Sequence, residues 1–132
     1  MPAVNEHVKQ RGIDDLDGLV ACFAREVRSE QPAHPARSFQ GSDQVRRNWA
    51  QILKGVPDLQ AILLGCVVQQ DEAWTEWRWS GTRGDGTTFE MRGVTVQRIL
   101  DDRIAAVRFY MEPVDERGPG VADAVRQAVV GR

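Results

Sequence analysis

Apolar residues in the first part of the chain follow the three-to-four-residue spacing of amphipathic helices. Residues 14–24 place apolar side chains at this spacing behind acidic residues that suit a helix N-terminus. A short helix over residues 3–11 is expected before it. Residues 42–56 repeat the pattern, with Ser42 as the N-terminal cap. Between these two helices, residues 28–41 lack periodicity and predict an irregular loop or a short strand.

From residue 59 the spacing changes to the alternation that is typical of β-strands. Four runs alternate in this way, and they cover residues 59–69, 72–81, 87–99 and 103–111. The segments between them have the length and the turn-forming residues of hairpins. The four runs therefore predict an antiparallel meander. A last short helix is expected over about residues 119–130.

Alternate side chains of a strand point to opposite faces, so each predicted strand divides into an apolar row and a charged row. Aligned across the meander, the apolar rows form an inner surface of Trp77, Trp79, Phe89, Met91, Val107, Phe109 and Met111. The outer surface carries charges of alternating sign, from Glu76, Arg78, Glu90, Arg92, Arg108 and Glu112. The helices must pack on the inner surface, while solvent or a second subunit faces the outer one.

Gly93 interrupts the apolar alternation of the third predicted strand. The apolar parity moves from Phe89 and Met91 to Val94 and Val96 across this glycine. A β-bulge at Gly93 would account for the shift and would bend the sheet. The expected fold is α+β, with a curved antiparallel sheet, a cone-like half barrel, wrapped around the N-terminal helices.

Composition narrows the class of protein. The 132 residues are 42% hydrophobic and 27% charged, and 17 basic against 19 acidic residues give a net charge of -2. These values are typical of one globular domain over residues 1–132 and offer no basic surface for nucleic acid. No apolar run approaches the ~18 residues of a membrane span, and the N-terminus lacks the apolar core of a signal peptide, so a cytoplasmic location is expected. Cys22 and Cys66 lack metal-type spacing and are interpreted as reduced core residues. No metal or organic cofactor is expected.

The order of these elements resembles the nuclear-transport-factor-2-like superfamily, and its SnoaL-like and ketosteroid-isomerase-like branches in particular. The fragments that carry the resemblance are DLDGLVACFA, GSDQVRRNW, EWRWSGT, RGVTV and DDRIAAVRFYMEP, in that order within residues 12–113. The resemblance implies a cystatin-like, SnoaL-like fold. The superfamily includes polyketide cyclases, steroid isomerases, dehydratases, epoxide hydrolases and non-enzymatic binding modules, so the fold alone does not assign an activity.

The acids of the isomerase branch are missing from the positions that match them. The catalytic base of that branch is an aspartate before a proline, eight residues after a Phe-Ala pair, and here residues 23–24 are followed at that spacing by Gln31. An amide cannot take up and release a proton near neutral pH. The second acid of the branch falls near Val94 or Thr95. The usual ketosteroid isomerase activity is therefore not expected.

Other residues could supply acid–base chemistry. Glu30 adjoins the base position and could enter the mouth of a pocket, or it could be a solvated loop carboxylate. His34 could shuttle protons or lie at the surface, and His7 could close the cavity or be an ordinary exposed histidine. A strand register one residue different would turn Glu76 and Arg78 inward as a buried ion pair.

Two functions fit this pattern. One is a cofactor-independent cyclase, isomerase, dehydratase or hydrolase that acts on a small hydrophobic molecule, cyclic or polyketide-like. The other is a non-catalytic module that binds such a molecule or serves as a dimeric scaffold. In both cases the expected ligand-binding residues are the inner surface together with Gln31 and Trp49. A homodimer through the outer surface is expected, because an alternately charged surface that contains Tyr110 can be self-complementary about a two-fold axis.

Overall fold

The computed structural model describes residues 15–130. Its elements in chain order are α1 (Leu16–Ala21), β1 (Phe23–Glu30), β2 (Phe39–Gln40), α2 (Ser42–Gly55), β3 (Gln60–Gln69), β4 (Glu72–Thr82), β5 (Thr88–Leu100), β6 (Arg103–Pro113) and α3 (Val121–Val130). A single 3₁₀ turn, Pro35–Arg37, lies between β1 and β2. The helix expected over residues 3–11 lies outside the described residues. Within residues 15–130, none of the helices is long and apolar enough to cross a membrane.

Six strands form one curved sheet in the order β2-β1-β6-β5-β4-β3. The predicted meander is confirmed, since β3 pairs with β4, β4 with β5 and β5 with β6, all antiparallel. The turn between β5 and β6 places Asp101 and Asp102 at φ values of 52° and 63°. Positive φ at both central residues is what a type I′ hairpin requires. The sheet is mixed, however, because β1 pairs parallel with β6.

The helix predicted over residues 14–24 is only half correct. It ends at Ala21, and the residues from Phe23 to Glu30 form β1 instead of a helical turn and a loop. Within β1, Val27 and Ser29 are buried while their neighbours are exposed. The free edge of β6 provides this segment with backbone partners, and pairing of this kind overrides a weak local helix preference.

The helix predicted over residues 42–56 is confirmed as α2, but its cap is a different residue. Gly41 occupies the N-cap position with φ 105°, and no side chain caps the helix. Ser42 is therefore the first helical residue. The positive φ of Gly41 lets the chain turn sharply from β2 into α2, a conformation that glycine adopts without steric cost.

The charged rows lie on the outer surface as predicted. The Nε atom of Arg78 lies 3.2 Å from Oε2 of Glu90, and a guanidinium nitrogen of Arg92 lies 4.0 Å from Glu76. The alternative register with Glu76 and Arg78 inward is wrong, because both side chains are about half exposed while Trp77 between them is 3% exposed. Exposed pairs of this kind contribute at most ~1 kcal/mol each.

The expectation that both cysteines are core residues is correct for only one of them. Cys22 is buried and its thiol donates to the carbonyl of Gly18, whereas Cys66 is exposed on β3. The strand β3 lies at the edge of the sheet and most of its side chains are exposed beyond Leu63. An apolar sequence around a cysteine therefore does not bury it when the strand has no covering layer.

The predicted bulge at Gly93 is wrong. From Met91 to Arg98 the β5 backbone keeps one register opposite β4 and β6, with Gly93 facing Trp77 on one side and Met111 on the other. The alternation therefore continues from Met91 through Thr95, and Val94 lies on the outer surface. The apparent shift of parity arose because polar residues take the inner positions after Gly93.

Gly93 is needed for a different reason, which is the close approach of β6. Its φ is 152°, and a Cβ atom there would lie 2.6 Å from the Cα of Met111 and closer still to the carbonyl oxygen of Tyr110. Both obstacles are backbone atoms, which cannot rotate away. Only a residue without a side chain fits at this point of the sheet.

We therefore expect Gly93→Ala to lower the free energy of unfolding by about 2–5 kcal/mol, because it adds backbone strain to overpacking. Urea unfolding followed by circular dichroism measures the effect. Gly65→Ala is the matched control, since Gly65 also lies in a strand and a Cβ atom there would meet no heavy atom within 4 Å. Equal midpoints for the two variants would contradict this account of Gly93.

Candidate functional site

A cavity of about 530 Å³ lies between the inner surface of the sheet and helix α2, partly open to solvent. Its volume is in the range of small-molecule sites. The meander strands β4, β5 and β6 contribute apolar side chains that include Trp77, Trp79, Met91, Val107, Phe109 and Met111, and β1 and β2 add Phe23 and Phe39. From α2, Val45, Trp49 and Ile52 line the opposite wall. These three share one helix face, because they are spaced by four and three residues.

The residues expected to bind a ligand lie largely in this wall. Gln31, Trp49 and every member of the predicted inner surface except Phe89 line the cavity. The Phe89 ring lies near the hairpin end, where the guanidinium of Arg83 sits 5.5 Å from its centroid. Position in the wall does not by itself demonstrate binding, so ligand contact by these residues stays a prediction.

Three aromatic side chains connect the helix wall to the sheet wall. The ring centroids of Trp49 and Trp79 are 5.2 Å apart, and those of Trp79 and Phe109 are 5.9 Å apart, with interplanar angles of 58° and 53°. Tilted arrangements at these distances are favourable for aromatic rings. The Nε1 atom of Trp79 is buried and has no hydrogen-bond acceptor within residues 15–130. Trp79 is thus held by ring packing.

A cluster of polar side chains lies on the inner surface beside the apolar wall. The Thr75 hydroxyl is its centre: it accepts from Nε1 of Trp77 at 2.9 Å and lies 2.7 Å from the hydroxyl of Thr95. Gln97 donates from Nε2 to the Thr95 hydroxyl at 2.6 Å and offers Oε1 to Thr75 at 3.2 Å. All four side chains are buried, and all but Thr75 line the cavity. The cavity therefore contains neutral hydrogen-bonding groups whose positions are fixed by one another.

Sequence reasoning missed Thr95 and Gln97 as site residues. The sequence did contain a signal for both residues. Each is an even number of positions from Met91, so in a strand without a bulge each shares the face of Met91. The bulge predicted at Gly93 moved the apolar face to Val94 and Val96 and so turned Thr95 and Gln97 away from the inner surface. Ser29, which is 8% exposed and also lines the cavity, was missed because β1 was not predicted as a strand.

The two candidate catalytic residues that the structure describes, Glu30 and His34, are not part of the cavity wall. Glu30 is exposed at the end of β1, on the face opposite to Ser29, and its backbone lies beside Arg108. The Nε2 atom of His34 lies 3.2 Å from both carboxylate oxygens of Glu112, and the imidazole is about one third exposed. His7 lies outside the described residues. The structure therefore places neither Glu30 nor His34 in the wall of the cavity.

Neither cysteine lines the cavity. Burial raises the pKa of the Cys22 thiol, so this side chain is held in the unreactive protonated form. Within the described range, no three His, Cys, Asp or Glu side chains are grouped as ligands for a metal ion. The cavity wall in this part of the chain thus offers apolar contacts and neutral hydrogen bonds, with Arg37 as its one charged side chain.

The family of this protein follows from its sequence as well as its fold. The model of the SnoaL-like domain matches residues 4–107, and the chain belongs to this family. The suspected resemblance to the nuclear-transport-factor-2-like superfamily is confirmed. None of the curated proteins matches the sequence.

Solved structures share the architecture at low sequence identity. An NTF2-like protein from Exiguobacterium sp. 255-15 is 19% identical, with 86% of this chain and 97% of that chain covered and a TM-score of 0.68. A proposed SnoaL-like polyketide cyclase from Jannaschia sp. CCS1 is 16% identical, with 99% and 91% covered and a TM-score of 0.69. RV0760c from Mycobacterium tuberculosis, in complex with estradiol-17beta-hemisuccinate, is 19% identical, with 83% and 88% covered and a TM-score of 0.66. At these identities the similarity establishes the fold alone.

We expect Thr75→Val to destabilise the protein by about 1–3 kcal/mol, because the change leaves buried polar partners without a hydrogen bond. Thermal unfolding monitored by circular dichroism measures the loss. Thr88→Val, at an exposed position in β5, makes the same chemical change outside the cluster and should have little effect. Equal losses in both variants would show that the cluster contributes nothing to stability.

Proposed function

We propose that this protein binds a small, mainly apolar cyclic molecule in the cavity between α2 and the inner surface. The observation that carries this proposal is the composition of the wall in the described residues. Aromatic and aliphatic side chains form most of it, and neither a carboxylate nor an imidazole is present. A wall of this kind favours recognition of a hydrophobic molecule over proton transfer.

The expected source of affinity is the removal of apolar surface from water. This gain is about 25 cal/mol per Å² before the entropy of association is subtracted. Fixed neutral groups, such as the Gln97 amide and the Thr95 hydroxyl, give orientation to a polar atom of the ligand. Micromolar affinity, about -8 kcal/mol, is a reasonable expectation for such a site.

The structural relatives suggest the first probes. RV0760c is described in complex with estradiol-17beta-hemisuccinate, and a ketosteroid-isomerase-like protein from Catenulispora acidiphila in complex with trimethylamine. The first of these ligands is a ring compound of the kind the apolar wall suits. We therefore choose steroids, monocyclic terpenoids and aromatic polyketides as test compounds.

We also propose a homodimer formed through the outer surface. Apolar side chains are exposed there among the charges: Ile62, Val67, Trp74 and Tyr110, with exposures from 40% to 68%. The guanidinium of Arg108 lies 5.9 Å from the centroid of the Trp74 ring. A surface that combines aromatic side chains with arginine resembles the core of known protein interfaces.

We expect at least one compound class to raise the melting temperature, and Val107→Trp to weaken its binding at least tenfold, because the larger side chain fills the cavity. Isothermal titration calorimetry measures the affinities. Val121→Trp is the control, since Val121 is 81% exposed on α3. Phe109→Ala, which removes part of the wall, gives a second test if Val107→Trp does not fold.

Absence of binding in all three classes would reject the proposed site. Equal binding by Val107→Trp and the unmodified protein would place the ligand elsewhere. Turnover of a bound compound that stops in Glu30→Gln or His34→Gln would instead indicate the cofactor-independent enzyme considered from the sequence.

We expect sedimentation equilibrium at micromolar concentration to show a dimer, and Trp74→Arg to convert it to a monomer. The change removes an exposed aromatic side chain from the proposed interface and adds a charge that would have to lose its water there, which is costly. Val121→Arg makes the same change in charge at an exposed apolar position and should leave the dimer intact. A monomeric unmodified protein, or a dimeric Trp74→Arg variant, would contradict this interface.

A further inference from the structure

Arg37 is the single charged side chain in the cavity wall formed by residues 15–130. It ends the 3₁₀ turn Pro35–Arg37 and is itself exposed, so it lies where the cavity meets solvent. The other polar side chains in the wall are neutral: the amides of Gln31, Asn48, Gln51 and Gln97 and the hydroxyls of Ser29 and Thr95. The wall thus carries a positive charge and no negative one across the described positions.

The loop that carries Arg37 is held in place by hydrogen bonds. The backbone N–H of Arg37 donates to the His34 carbonyl at 2.9 Å, and that of His34 donates to the Gln31 carbonyl at 2.8 Å. The Ser38 hydroxyl accepts from the Gln31 N–H at 3.2 Å. The imidazole of His34 in turn contacts the Glu112 carboxylate on β6. The backbone from which Arg37 extends is therefore ordered before any ligand binds, which reduces the entropy cost of binding.

The charge of Arg37 is not neutralised by the described part of the protein. Arginines on the outer surface pair with carboxylates, for example Arg78 with Glu90 and Arg98 with Asp71. Arg37 makes no ion pair with any carboxylate in residues 15–130. Its five N–H donors are thus available at the mouth of an otherwise apolar cavity.

We propose that the ligand is an apolar ring compound that carries a carboxylate, and that Arg37 binds this carboxylate at the mouth while the rings occupy the apolar interior. This inference rests on the proposed function, because it names the class of molecule for the same cavity. The planar guanidinium matches a carboxylate with two parallel hydrogen bonds. The neutral amide of Gln31, at the start of the same loop, adds a hydrogen-bond donor to the wall without adding repulsion.

The test compares charged and uncharged members of matched ligand pairs. Estradiol-17beta-hemisuccinate is compared with estradiol, and 1-naphthaleneacetic acid with its primary amide, by isothermal titration calorimetry at low and high salt. In at least one pair the carboxylate is expected to bind about tenfold more tightly at low salt, as a charge-assisted hydrogen bond at a partly exposed site allows. High salt should reduce the preference.

Variants then test whether Arg37 causes the preference for the carboxylate member of a pair. Arg37→Gln should abolish the difference within the pair while the uncharged member keeps its affinity, and Arg37→Lys should retain part of it. Arg103→Gln is the control, because it removes the same charge from an exposed position outside the cavity wall and should leave the preference unchanged. The measured quantity is the ratio of the two affinities within a pair. A general loss of structure weakens both members, whereas loss of charge recognition weakens only the carboxylate.

The outcomes for the two proposals are distinct. Binding of both members of a pair with equal affinity, or a preference that survives in Arg37→Gln, overturns the role of Arg37 and leaves the cavity as the binding site. Failure of every member of both pairs to bind overturns the carboxylate proposal, and the screen of neutral compounds then decides whether the cavity proposal fails with it.

Discussion

The continuous register of β5 from Met91 to Arg98, between β4 and β6, determines which of its side chains face the cavity. This strand lies inside the sheet, and Gly93 lets β6 pass so close that a side chain would meet its backbone. Without a bulge the same face continues along the strand from Met91 to Gln97. One backbone constraint therefore brings apolar and polar side chains to the same inner surface.

The division of polar groups between the two surfaces explains why the site suits binding. Charged side chains lie outward, where water solvates them and their pairings have little energetic weight. Inside, the hydroxyl and amide groups of Thr75, Thr95 and Gln97 can be buried because they bond to one another, and the Trp77 indole donates to the Thr75 hydroxyl. An inner carboxylate would need a comparable set of partners, and residues 15–130 place none in the cavity wall. A neutral interior of this kind supports the proposed binding function, in which recognition rests on shape and a few hydrogen bonds.

The segment from β1 to α2 forms the wall opposite the meander and the mouth of the cavity. Its parallel pairing with β6 turns Ser29 inward and Glu30 outward. The loop that follows is tied to β6 through His34 and Glu112, and it brings Arg37 to the opening. The chemistry at the mouth therefore depends on contacts between parts of the chain that are far apart in sequence.

The sequence by itself determined the meander, the second helix and the assignment of Trp77, Trp79, Phe109 and Met111 to the inner surface. These features follow from local alternation, which is strong where one face of a strand is apolar and the other charged. The family resemblance also came from the order of these local patterns. Most of the apolar wall of the cavity could therefore be predicted.

Only the tertiary structure decided the rest. Phe23 to Glu30 became a strand because the edge of β6 offered backbone partners, and no local pattern contains that information. Thr95 and Gln97 turned inward because buried polar residues are tolerated when distant side chains satisfy them, as Thr75 does here. The open volume beneath α2, and Arg37 at its mouth, depend on the distance between packed layers, which the spacing of residues along one chain does not specify.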